Sequence, residues 1–503
     1  MAFIFPRLIN ISTLALAVYL YLFTNVEAIP VDNSQPKKKN IIFLVGDGFG
    51  PSGVNLARNY RQVEQGLSRR DLLNLDGHLI GTQRHSSNSS YITDSAAAGT
   101  ALATGKKTVN GYISVDPEQN PVGAIGEALK LQGYAVGLVV TTSVGDATPS
   151  VWAAHARTRR DQDLIVEQLV GEIHPLGHIP DLILGGGRDW FIGVNDGGKR
   201  PDNRSLIEEV QNNGTWTYVG DREGFDSYDE GRNATLPFLG LFAEDNFPYR
   251  IDRDDAEYPS LVEQTQFALN ALSNYTKDSD QGFFLMVESS RIDHAGHENC
   301  VQSHALEALE YDEVFGLVKN FTRETDVDTV VIATADHETG GLVLNLQGPR
   351  DFDPVFNATH SGEYLANEIA NYEGDDLLGF IRTTVIEEGL GLTNYTEEEV
   401  QRLADYVDNN SEGILYTTAL GVAIANLTSS RARVHWGSLQ HTSVDVDLYG
   451  FSNADYLTQK LLNVRTGLAG VHENTDFSVF IKSITDIDLD EVTELIADVP
   501  TRY

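Results

Sequence analysis

Three continuous apolar runs, each ending on residues that bind cations, constrain this chain more than any other feature. Residues 40–45 (Asn-Ile-Ile-Phe-Leu-Val) lead into Gly46-Asp47-Gly48, residues 283–287 (Phe-Phe-Leu-Met-Val) into Glu288, and residues 330–335 (Val-Val-Ile-Ala-Thr-Ala) into Asp336-His337. Runs of this length suit strands buried on both faces of a parallel sheet, and open α/β sheets place their sites beyond the carboxyl ends of such strands. The three polar ends are therefore expected along one edge. The glycines around Asp47 permit a sharp turn that leaves its carboxylate exposed there.

More ligand-type residues follow. Asp293, His294 and His297 come soon after Glu288, and Asp293 and His297 stand four apart, so one helical turn points both the same way. Carboxylate and imidazole sets bind Zn²⁺, whereas carboxylates with a hydroxyl and waters suit Mg²⁺. Asp94-Ser95-Ala96 closes a polar loop and opens an Ala-rich segment. On a helix N-terminus the Ser95 hydroxyl faces free backbone N–H groups and the positive end of the dipole, a natural seat for phosphate. The same Thr93-Asp94-Ser95 also reads as an ordinary N-cap.

Six blocks, in order, resemble the alkaline phosphatases from about Lys39 onward. They are Val45-Gly46-Asp47-Gly48, the stretch from Thr93 through Ser95 to Ala101, Asp146-Ala147-Thr148-Pro149 with Arg159, Val287-Glu288 with Arg291-Ile292-Asp293-His294-Ala295-Gly296-His297, Thr334-Ala335-Asp336-His337-Glu338-Thr339-Gly340-Gly341, and His441-Thr442. The resemblance implies one Zn²⁺ on Asp293, His297 and His441, and a second on Asp47, Asp336 and His337 beside Ser95. It implies Mg²⁺ on Asp47, Thr148 and Glu288, with Asp146 ordering its waters. Ser95 would be the nucleophile that becomes phosphoserine, and Arg159 the planar fork on the phosphate oxygens. A broad range of phosphate monoesters hydrolysed at alkaline pH is the implied activity. Arg157 and Arg160 read as solvated helix charges. Asp146 is similar to the bacterial members, whereas His294, at a position that approaches phosphate through water, is similar to the animal ones. The alternatives are a phosphodiesterase or sulfatase of the same superfamily, against which Ser95 in the phosphatase block argues, and a non-catalytic secreted phosphate-binding glycoprotein, which would be expected to lack the nucleophile or a ligand.

The implied fold is α/β, a large central mostly parallel sheet flanked by helices. One domain would span 39–503, with an inserted lobe near the active site at about 345–430 that in relatives contributes to a dimer contact, so a homodimer is expected. The polar segment 29–38 precedes the domain. Amphipathic helices are expected around 122–131, 164–170, 260–272 and 305–321. A chain of 503 residues, 41% hydrophobic, can bury a large core. Its formal net charge of −37 argues against nucleic-acid binding and would repel anionic substrates, so metals and Arg159 must create a local positive well.

Arg7 precedes an apolar stretch, and Val26-Glu27-Ala28 has cleavage-site spacing before Ile29, so 1–28 reads as a signal peptide and the protein as secreted and extracellular. The alternative is a lumenal protein held by an uncleaved N-terminal membrane anchor, which Lys37, Lys38 and Lys39 on the translocated side disfavour. The polar C-terminus gives no glycolipid signal, and no stable membrane anchor is expected. Sequons at Asn88, Asn203, Asn213, Asn233, Asn274, Asn320, Asn357, Asn394, Asn409 and Asn426 agree with export. Cys300 is the sole cysteine, so no intrachain disulfide can form, and a buried or capped thiol near the site is expected.

Overall fold

Each of the three apolar runs forms a strand in the computed structural model, which describes residues 38–409 and 414–502. The segment 1–28 read as a signal peptide, residues 29–37 and the Asn409 side chain lie outside the described residues. In chain order the strands are β1 (Lys39–Gly46), β2 (Leu79–Arg84), β3 (Ala135–Ser143), β4 (Leu182–Gly186), β5 (Thr217–Val219), β6 (Phe238–Leu241), β7 (Phe283–Ser289), β8 (Asp328–Thr334), β9 (Glu338–Thr339), β10 (Leu342–Leu344), β11 (Val434–Trp436), β12 (His441–Thr442), β13 (Val446–Ser452) and β14 (Gly470–Glu473).

Ten of them make one sheet in the order β14-β2-β13-β8-β1-β7-β3-β4-β6-β5. Only β13 runs against the others, pairing antiparallel with both β2 and β8. The mostly parallel sheet expected from the apolar runs is what the chain builds. Strand β1 lies between β8 and β7, with Val45 opposite both Thr334 and Glu288, so the three ligand-bearing ends emerge at one level. Side chains of β1 alternate between two apolar cores: Ile41, Phe43 and Val45 pack on one face, Ile42 and Leu44 on the other, all fully buried. Burying each such side chain contributes about 1.5–3 kcal/mol, and a strand fed from both faces gains that at every position.

Helices cover both faces. The expected helix 122–131 begins only at Ile125, because the Glu127 carboxylate accepts the Ala124 backbone N–H (2.7 Å) and starts the first turn there. Expectation and structure agree better for Gln162–Leu169, Leu261–Thr276 and Val301–Glu324. Ser260 and Glu263 form a reciprocal capping box on the second of these. Arg157 and Arg160 do not lie on a helix; they sit in the turn between Ala147–Ser150 and Gln162–Leu169. The 345–430 span holds helices Gly362–Ala370, Glu397–Asn409 and Ile414–Arg431 and the wider-turned Ile381–Gly389, which share a third apolar cluster that includes Leu365, Ile381, Val385, Leu403 and Ile424.

Candidate active site

Six elements deliver polar side chains to the carboxyl edge of the sheet. Asp47 follows β1 and Glu288 ends the apolar part of β7; Asp336 and His337 follow β8; Thr148 lies in the helix Ala147–Ser150 after β3; Asp293, His294 and His297 ride the helix Arg291–His297 after β7; and Ser95 opens the helix Ser95–Thr104. Gly48 takes φ +72° and brings its backbone so close to that helix that a Cβ would stand 2.6 Å from the Asp293 Cα. Its N–H donates to Asp336 Oδ1 (3.3 Å), which aims the other carboxylate oxygen inward. His441 arrives on β12, which pairs with β9 so that His441 stands opposite Thr339.

The histidine hydrogen bonds fix which ring nitrogens face the site. His297 Nδ1 faces the Leu439 carbonyl (2.6 Å) and His441 Nδ1 faces the Thr93 carbonyl (2.8 Å), so each Nδ1 carries the proton. Their Nε2 atoms then face each other across 3.1 Å, with Asp293 oxygens 3.3 and 3.5 Å away. Burial opposes charge on His297, but Asp293 raises it to about 9, so without a metal a proton on its Nε2 bridges these acceptors, and a metal cation would take that proton's place. His337 Nδ1 lies 3.3 Å from the Thr339 hydroxyl, which donates onward to Asp293, leaving His337 Nε2 bare. That nitrogen stands 3.1 Å from Asp336 Oδ2 and 3.6 Å from Asp47 Oδ1.

The carboxylates make the same demand. Asp47 Oδ1, Asp336 Oδ2 and Glu288 Oε2 are buried without a hydrogen-bond partner. Burial, then repulsion from Asp336, Asp293 and Glu288, pushes Asp47 far above the usual carboxylate range; burial with neighbouring acids takes Glu288 up to about 8 and Asp336 up to about 7. Asp293 goes the other way: burial opposes its charge, but His297, His441 and His337 hold it well below its ordinary value. Two donor sets converge within ligand reach, Asp293 with His337 and His441, and Asp47 with Asp336 and His337. A third, oxygen-only group forms where the Thr148 hydroxyl approaches Asp47 Oδ2 (3.5 Å) near Glu288.

Asp94, not Ser95, caps the helix: its carboxylate accepts the Ala97 N–H at 3.0 Å. The Ser95 hydroxyl at the first helical position is thereby released from capping and donates instead to His337 Nε2 (3.2 Å). Arg159 reaches the same place from the turn after Ala147–Ser150, with Nη2 on Asp146 (2.8 Å) and Nη1 3.6 Å from Asp94. Its guanidinium and His297 are each about 30% exposed, whereas Ser95 and Asp336 are buried, so the entrance opens on the Arg159 and His297 side. His294 is not part of either donor set. It lines a cavity of about 310 Å³ with Arg291, His297, Glu298 and Glu363, and burial and Arg291 lower it to about 4, which keeps it neutral.

Thr339, which joins the two donor sets and sits two residues after His337, stood in the sequence only as a member of a family block, with no role of its own. So did Glu338: its carboxylate accepts from the Leu342 N–H (3.1 Å) and the Thr442 hydroxyl, fastening β9 to β12 and so placing His441. Cys300 is buried, 3.1 Å from the Ser303 hydroxyl, and belongs to none of the donor clusters among the described residues.

Comparison with known proteins agrees with this geometry. A family model described as alkaline phosphatase matches residues 38–487. The repressible alkaline phosphatase of Saccharomyces cerevisiae is 43% identical over 487 residues, covering 92% of this chain and 84% of that protein. The alkaline phosphatase of Schizosaccharomyces pombe is 35% identical with the same coverage, 92% and 84%. Among solved structures, Thermus thermophilus alkaline phosphatase superposes with a TM-score of 0.75 at 26% identity, covering 91% of this chain and 95% of that one.

Proposed function

The chain belongs to the alkaline phosphatase family and is a phosphoric monoester hydrolase, and from that premise we propose that it is a secreted homodimer, tolerant of many monoesters, that works at alkaline pH through a phosphoserine at Ser95 with two Zn²⁺ and one Mg²⁺. The observation that carries the reading is the Ser95 hydroxyl, released from capping and paired with His337 Nε2, beside the orphaned oxygens of Asp47 and Asp336. Asp293, His297 and His441 offer the nitrogen-rich donor set of Zn²⁺, as do Asp47, Asp336 and His337, while Asp47, Thr148 and Glu288 offer the hard oxygens of Mg²⁺ and Asp146 would order water there. When bound, the metals supply Lewis acidity that eases deprotonation of the nucleophile and neutralises charge on the leaving alcohol.

The chain's own groups do the rest. Ser95 Oγ attacks phosphorus, forming the new O–P bond as the ester P–O bond breaks and the alcohol leaves; water then cleaves the phosphoserine and restores the hydroxyl. The helix N-terminus beneath Ser95 favours the negative charge that gathers there. Arg159, held by Asp146 and Asp94, would present its fork to two phosphate oxygens, and neutral His294 would approach phosphate through water. No contact depends on the identity of the alcohol, which is why broad tolerance is expected.

Arg159→Ala is expected to weaken inhibition by inorganic phosphate and to lower kcat/KM by about 1.5–3 kcal/mol, the range of hydrogen bonds to a charged group. Steady-state inhibition measurements decide it; unchanged phosphate inhibition would pass the role to Arg157 or Arg160. Export is tested on the mature protein, whose N-terminus is expected near Ile29 and which should lose mass on enzymatic removal of N-glycans. Nine of the ten sequon asparagines are exposed, as glycosylation requires. An intact 1–28 segment with carbonate-resistant membrane association would favour the anchored alternative.

A further inference from the structure

Away from the site, Glu127, His155 and His174 form a cluster whose side chains are all fully buried. Glu127 Oε1 lies 2.9 Å from Nε2 of each histidine, and its Oε2 accepts the Ala124 N–H. The arrangement has the composition of a metal site, but the outer nitrogens say otherwise. His174 Nδ1 accepts the Leu176 N–H (3.2 Å), so its proton sits on Nε2, and a protonated Nε2 cannot ligate a metal. His155 Nδ1 faces the Ser114 carbonyl (2.8 Å) and must donate, while its Nε2 faces a carboxylate that can only accept. His155 is thus an imidazolium paired with the Glu127 carboxylate, and His174 a neutral donor to the same oxygen. Burial opposes both charges, yet His155 pulls Glu127 down to about 2, and Glu127 in turn raises His155.

The pair sits at one end of a chain of contacts that ends on the reacting groups. Gln168 brackets the His155 backbone, accepting its N–H (2.7 Å) and donating to its carbonyl (2.8 Å). Ala156 exchanges backbone bonds with Ile113, and the Arg159 N–H donates to the Gly111 carbonyl (2.8 Å), so the segment carrying Arg159 runs antiparallel to 111–114. Ser114 is buried at φ +41°, a strained setting for a residue with a side chain, and its N–H donates to the Thr100 hydroxyl (2.9 Å). Thr100 lies on the helix that Ser95 begins and donates in turn to the Tyr112 carbonyl (3.1 Å).

We propose that the Glu127–His155 pair, through Ser114 and Thr100, is the positioning device that fixes the Arg159 segment against the Ser95 helix and so sets the fit of the phosphate between arginine and nucleophile. The proposal rests on the assignment of Arg159 to phosphate. Neither Glu127 nor His155 touches substrate.

The test is a double-mutant cycle on the metal-loaded enzyme, with inorganic phosphate as the probe and a chromogenic monoester as substrate. His155→Asn removes the charge facing Glu127, and Thr100→Val breaks the other end of the chain isosterically, so the two do not share a folding risk. Each is expected to raise the phosphate inhibition constant roughly tenfold, in line with the cost of sub-ångström misplacement, and to have almost no effect once Arg159 is already alanine. A defect that merely lowers the folded fraction would reduce the maximal rate and leave the inhibition constant where it was. Unchanged inhibition in Thr100→Val, or equal effects with and without Arg159, would overturn the proposal. If Arg159→Ala itself leaves phosphate inhibition intact, the assignment beneath it fails instead.

Discussion

Ser95→Ala is expected to lose turnover by several orders of magnitude and to form no covalent phosphate at any pH. The hydroxyl is the nucleophile that the helix start releases from capping, since Asp94 takes that role. Neighbouring hydroxyls are engaged elsewhere: Thr93 donates to the Asp94 carbonyl (2.9 Å), Thr148 faces Asp47 (3.5 Å) and Thr339 is committed to Asp293. What remains in the mutant is direct attack by water, helped by Arg159 and the electrostatics of the site, so the residual rate should still exceed that of the uncatalysed reaction. Rapid-quench and steady-state rates on the purified mutant check this. Because the Ser95 side chain is small and its helix is anchored by Asp94, thermal stability should hardly change. A mutant that keeps its rate would move the nucleophile to water from the outset.

Chelation is expected to abolish activity and also to make stability fall with rising pH. In the metal-free protein, burial and repulsion raise Glu288 to about 8 and Asp336 to about 7, well above their unfolded values. A carboxyl whose folded pKa is raised leaves stability intact below the unfolded pKa and costs stability as pH climbs through the folded value. The chelated protein should therefore lose stability, and melt at progressively lower temperature, between about pH 5 and 9. With metals bound the carboxylates are neutralised in place, and the loss on the alkaline side should vanish. Melting curves with and without chelator at pH 6 and pH 9 separate the two. An apoprotein equally stable at both pH values would mean that Asp47, Glu288 and Asp336 do not share a buried cluster.

The central strands were legible because their runs are apolar on both faces, and β8, β1 and β7 are indeed neighbours. The spacing of Asp293 and His297 likewise translated directly into one helical turn. Other parts follow from contacts that have no local signature. The reversed strand β13 depends on pairing with β2 and β8, distant in sequence, and its residues look like those of any half-buried strand. His441 is placed by a two-residue strand whose partner lies about a hundred residues earlier, too short for periodicity to register. Ser95 as a hydroxyl released from capping could not be told from Ser95 as a cap until Asp94 was seen to take the cap. The resemblance to a known family supplied the grouping of ligands; the facing Nε2 atoms and orphaned oxygens supply its physical reason.

Acid-quenched enzyme, incubated with inorganic phosphate or a monoester and then digested for peptide mass spectrometry, tests the central claim most directly. The expected result is covalent phosphate on the peptide containing Ser95, stable in acid, absent after chelation, and lost on return to alkaline pH. Full activity with no covalent phosphate, or phosphate trapped on another residue, would contradict it.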